Sequence, residues 1–183
     1  MNKKLIIGFT IFCMLVGLYF LNVSSQKKYT SSSSILMEIQ QDIIKKILIH
    51  SSEDAIELVR KDTIWSIAGN DTLIMKQQSI DNFFNNVLNI EIEQIMTQKK
   101  EKWSAYNIDD STGTHLAILD WNDNTVGYFV FGRSSSDYSR CYVRGTNSDN
   151  VFLTNKNVMY HLQTSPTYWG EPPKEDIPEE AEL

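Results

Sequence analysis

The sequence predicts an α+β domain, an antiparallel sheet of short strands with one main amphipathic helix on a face, preceded by one N-terminal transmembrane helix. Three observations lead there. Short β-branched and alternating runs recur between polar turns, especially in the second half. One stretch, Ile80, Phe83, Phe84, Val87 and Leu88, repeats at helical spacing. Ahead of both lies an uncharged, mostly apolar run from Leu5 to Leu21.

Lys3 and Lys4 precede that run, whose seventeen residues give ~26 Å of helix at ~1.5 Å each, close to a ~30 Å hydrocarbon core. Tyr19 sits near its far end, where an interfacial aromatic is at home. The segment 1–23 reads as a retained signal anchor, with a short inner flank and the long C-terminal part on the extracytoplasmic side. The alternative is a signal peptide cut near Val23 and Ser25, which leaves a secreted domain. A lipoprotein fits less well, because Thr10, Ile11 and Phe12 before Cys13 are not the small residues required. Residues 24–34 then form a serine-rich linker without an apolar face.

The folded domain is expected over 35–170. Ile43 to Ile49 is β-branched and reads as a strand. Ser51 to Asp54 is a turn, and Ala55 to Arg60 alternates, with Ile56 and Leu58 on one side. Trp65 and Ile67 share a face of a short strand at Thr63 to Ile67, and Gly69-Asn70-Asp71 breaks the chain. Ser79 is the expected cap of the helix, with Asn82, Asn85 and Asn86 pointing outward. Ile92, Ile95 and Met96 belong to a strand leaving it. His115–Trp121 and Val126–Phe131 flank a hairpin turn, and Ser139–Arg144 and Val151–Thr154 flank another. Lys156 to Leu162 reads as a short closing helix that puts Val158 and Leu162 on one face. From 171 to 183 the chain holds six acids, one lysine and three prolines, the composition of a disordered acidic tail.

The formal charge of −6 belongs mostly to that tail, whose net is −5. A near-neutral body offers no basic stripe for phosphates, which argues against nucleic acid as a partner. Cys141 has no body cysteine to pair with, and Cys13 lies in the apolar segment.

His50, His115 and His161 fall in three separate elements without metal-ligand spacing, so no metal or other cofactor is expected. Asp109-Asp110 and the pair Asp120 and Asp123 could serve as general acid and base, but each sits at a turn, where aspartate bonds its own backbone. Ser134-Ser135-Ser136-Asp137 lacks a nucleophile elbow. No catalytic residue is assigned. The residues support a tethered, non-enzymatic interaction or accessory domain. The alternative is an envelope hydrolase or glycan binder using Asp109, Asp110, Asp120 and His115.

Seven stretches, in this order, resemble the family called DUF4340, a domain of unknown function. They are Ile43–Ile49, Asp62–Ile67, the helix Ile80–Leu88, and the turn Tyr106-Asn107-Ile108-Asp109-Asp110-Ser111 leading to Leu116–Leu119. Phe129–Arg133, Tyr142-Val143-Arg144 and Val151-Phe152-Leu153 follow. Asn107 and Ser111 stand where glycine and proline are usual. The resemblance covers about residues 40–165. It implies a membrane-anchored envelope domain without established catalytic residues, whose partner is an envelope protein. Some relatives look like auxiliary parts of ABC-type export or gliding-motility systems.

Overall fold

The fold is built from eleven strands, counted among the described residues: β1 (Thr30–Ile35), β2 (Ile44–Ser51), β3 (Asp54–Lys61), β4 (Ile64–Ile67), β5 (Ile74–Met75), β6 (Glu91–Thr97), β7 (Thr114–Asp120), β8 (Thr125–Arg133), β9 (Cys141–Gly145), β10 (Val151–Thr154) and β11 (Gly170–Glu171). This computed structural model describes residues 12–19, 30–52, 54–146 and 148–173. Nine strands form one antiparallel sheet in the order β1-β6-β10-β9-β8-β7-β2-β3-β4, and β5 pairs with β11 in a separate ribbon.

The strand expected over 43–49 and the alternation expected over 55–60 are observed: Ile47, Ile49, Ile56 and Leu58 are buried on one face, joined by Trp65 and Ile67 of β4. Onto that face packs the main helix, Gln77–Phe83, which runs on into a wider π-helical turn, Phe84–Leu88. Ile80, Phe83, Phe84, Val87 and Leu88 are all buried in the seam, and Asn85 is exposed. Wide-turn geometry frees carbonyls from the α ladder, and the Asn89 amide donates to two of them, Phe84 O at 3.3 Å and Asn85 O at 3.4 Å.

Four expectations need correction. The helix starts before Ser79. Lys76 is its cap residue and gives its own N–H to Trp169 O at 2.7 Å, while the Ser79 hydroxyl donates to Tyr168 O at 2.8 Å. A returning segment thus does the capping, a contact no local pattern reveals. The closing helix expected at 156–162 is a single 3-10 turn, Met159–His161, although Val158 and Leu162 are buried as read. Thr30–Ile35, inside the expected linker 24–34 but for its last residue, forms the strand at the edge of the sheet, because its backbone finds β6. Glu171, the first residue of the expected tail 171–183, pairs with Ile74, so the domain extends past 170.

Most of the expected anchor 1–23 lies outside the described residues, as do 174–183 of the tail. Residues 12–19 are helical and exposed. Among the described residues no helix is long and apolar enough to cross a membrane.

Candidate functional site

The second face of the sheet is only partly covered. Lys100–Tyr106 forms a 3-10 helix that lies across β6, β10, β9 and β8, and with Ile108 it closes a smaller core of Trp103, Ile108, Val130, Tyr142, Val151 and Leu153. Arg144 of β9 holds this strap down. Its Nε donates to Ile108 O at 2.7 Å, its guanidinium carbon lies 3.9 Å from the centre of the Trp103 ring, and an Nη pairs with the Asp110 carboxylate. The Arg144 side chain is 6% exposed and that of Asp110 79%, so the arginine is the buried partner and the aspartate its solvated counter-ion. The strap comes so close to β8 that a Cβ on Gly132 would stand 2.2 Å from Tyr106 O and 2.6 Å from Asn107 O.

Beyond the strap, β7, β2 and β3 turn Lys46, Leu48, His50, Glu57, Val59, His115, Ala117 and Leu119 toward the open side, half-buried or exposed between core positions. His50 and His115 stand directly opposite each other across β2 and β7, their ring centroids 5.7 Å apart. The His115 ring is bonded at both nitrogens: Nε2 lies 3.2 Å from Asp110 O and Nδ1 2.6 Å from Tyr128 Oη. A carbonyl only accepts, so Nε2 carries the proton and the tyrosine hydroxyl donates to Nδ1. Partial burial, aided by the neighbouring His50 and Arg144, pushes the His115 pKa below its ordinary value despite the bond to Asp110 O. Leu48, His50, Asp110, His115, Ala117 and Tyr128 line a depression of about 380 Å³.

The acidic candidates separate. The Asp109 carboxylate accepts from the backbone and hydroxyl of both Ser111 and Thr112, at 2.6–3.0 Å, and these bonds hold it well below the usual carboxylate range. Asp120, at the opposite end of β7, accepts from Asn122 and Asn124 N–H groups at 2.8 and 2.9 Å. Asp123 lies 3.0 Å from both Lys45 and Lys46. The Ser134 hydroxyl, nearly buried, accepts from Asp137 N at 3.1 Å and closes its own loop. Of the four residues in the hydrolytic alternative, Asp110 and His115 come together, whereas Asp109 spends its carboxylate on the turn and Asp120 is remote.

His161 lies elsewhere, with Nδ1 3.1 Å from Tyr168 Oη. Cys141 is buried beside Thr154, and burial pushes its thiol pKa up. Among the described residues no three histidine, cysteine or carboxylate side chains gather as metal ligands. Tyr128 and Arg144 were not singled out for chemistry in the sequence. Tyr128 reaches His115 through the β7–β8 hairpin, and Arg144 reaches the site through Asp110.

A family model described as a domain of unknown function (DUF4340) matches residues 65–173. The span holds Asp110, His115, Tyr128 and Arg144 and continues through the closing Trp169, while His50 and the strand Ile43–Ile49 precede it. No curated protein and no solved structure matches the chain.

Proposed function

The chain belongs to the DUF4340 family, and from that premise we propose that it is a membrane-tethered, extracytoplasmic interaction module whose docking surface is the open face of β7, β2 and β3. The observation that carries this reading is the half-covered sheet. One face is sealed by the helix and part of the other by the strap. What remains is a patch of Leu48, Val59, Ala117 and Leu119 edged by Lys46, Glu57, His50 and His115. An apolar centre with a charged rim is the make-up of a protein-binding surface. The Lys3-Lys4 flank and the apolar run Leu5–Leu21 support the tether. The family resemblance supports a subunit of an ABC-type envelope complex as the partner.

Photo-crosslinking side chains placed singly at Leu48 and Ala117, opposite each other on β2 and β7, test the reading in intact membranes. The expected result is one shared adduct from both positions and none from Asn85 on the helix. Adducts from Asn85 alone overturn it.

One observation favours a second reading, binding of a small glycan. Tyr128 and the two imidazoles rim a depression with an apolar floor. Chemical-shift changes confined to His50, His115 and Tyr128 on adding envelope oligosaccharides would select it over the protein partner.

A further inference from the structure

The register of β1 fixes which end of the domain faces its tether. Thr30 pairs with Gln94 and Ile35 with Glu91, so the chain arrives from residue 29 at the end of β6 that leads into Thr97 and the strap. Lys99, Lys100 and Lys102 sit at that end, all exposed. None of the three makes an ion pair among the described residues, whereas Lys45, Lys46, Arg140 and Arg144 each do. Lys100 Nζ instead lies 5.1 Å from the Trp103 ring, which keeps its charge at the surface. Glu101 lies within the cluster, the Asp149 carbonyl accepts from Trp103 Nε1 at 3.2 Å, and Asp110 is paired with Arg144, which lies on the same Trp103 ring. In sequence, Lys27 and Lys28 lie three and two residues before Thr30.

We infer that the lysine-bearing start of the strap, Lys99 to Lys102, is a lipid-facing contact that lays the domain on an anionic membrane surface. The inference rests on the tether proposed above and adds the orientation in which the domain is held. Fold and register bring the three lysines to the end of the sheet where the chain enters at Thr30, and anionic lipid headgroups attract such cations. Trp103 is buried beneath them, so the contact is electrostatic rather than insertive and is screened within about 8 Å at physiological salt. With the strap end down, the open face of β7, β2 and β3 stands to the side and remains free for a partner.

Hydrogen exchange of the full chain in lipid nanodiscs tests this. In discs containing phosphatidylglycerol the amides of residues 99–104 should exchange roughly fivefold more slowly or better than in phosphatidylcholine discs, the scale set by about one lysine's worth of surface attraction. About 1 M salt, or the triple change Lys99→Glu, Lys100→Glu and Lys102→Glu, should abolish the difference. Exchange in β7 and β8 should stay unchanged and show that the triple variant is folded. Equal exchange of 99–104 in both lipids, with the protein still held by the discs, overturns the contact and spares the tether. A chain that washes off both kinds of disc overturns the tether and the contact with it.

Discussion

At Gly132 the fit between strap and sheet depends on the absence of a single carbon. Tyr106 O and Asn107 O occupy the space a Cβ would take, and both are backbone atoms that cannot swing aside. Gly132→Ala should therefore cost roughly 1–3 kcal/mol in denaturant unfolding, and Trp103 fluorescence should report the strap lifting. An unchanged midpoint would mean that the strap is not seated there. Asn107 adopts a left-handed backbone at φ 53° and its amide donates to Arg133 O, so an asparagine, which tolerates that conformation, serves at the turn. The pKa of His115 is lowered in the fold, so the unfolded chain binds its proton first. The contribution of this residue to stability is complete above the ordinary value of 6.5 and declines as pH falls from there toward the depressed folded value. The aspartates with lowered pKa values act only further down, below 3.8. An NMR titration should give His115 a pKa below 6.5, and a value above it would refute the burial argument. At this scale Asp109 was legible, because Asp followed by Ser and Thr writes its own turn. Arg144 was not, since its carbonyl, ring and carboxylate partners come from about 35 to 40 residues away.

The helix is the element that the sequence describes best. Its five apolar positions are all buried, with Ser79 the one polar residue buried beside them, and Phe84 additionally meets Phe83 and Trp65 with ring centroids 5.6 and 5.7 Å apart. Phe84→Ala should cost ~3–5 kcal/mol through the cavity it leaves. Asn85→Ala, on the exposed side, should cost less than ~0.5 kcal/mol. Equal losses in thermal or chemical melts would mean the seam is elsewhere. Adjacent buried pairs, Phe83 with Phe84 and Val87 with Leu88, foretold the face but not the wide turn. Both geometries bring such pairs to one side, and what distinguishes them is the backbone of Phe84–Leu88, against which Asn89 bonds back to Phe84 and Asn85. The strap was missed altogether. Its lysines and alternating polar residues carry no periodicity, and it becomes an element only because Trp103 and Ile108 find the second face of the sheet.

For the molecule as a whole, the hairpins β2–β3, β7–β8 and β9–β10 were readable, because each is written in a few consecutive residues. Strand order was not, since the pairings β2–β7 and β1–β6 join distant segments. The boundary at the C-terminus shifted for a related reason. Trp169 is fully buried against Phe83, and its indole N–H donates to Gln163 O at 2.7 Å, although its sequence neighbours are polar. Trp169→Ala should cost about 3–5 kcal/mol, whereas ending the chain after Pro173 should leave the melting temperature within about two degrees. A large drop from that truncation would show that residues 174–183 add to the fold. The edge position of β1 also sets a clock. Thr30 must wait for Gln94, about 60 residues later, which at 5–20 residues per second takes roughly 3–13 s of synthesis. In that interval β2 and β3 can zip together, but the outward edge of β2 stays bare until β7 is made, later still. The nascent chain therefore carries an isoleucine-rich, half-paired ribbon for seconds, an adhesive intermediate that a holding chaperone or immediate export must shield.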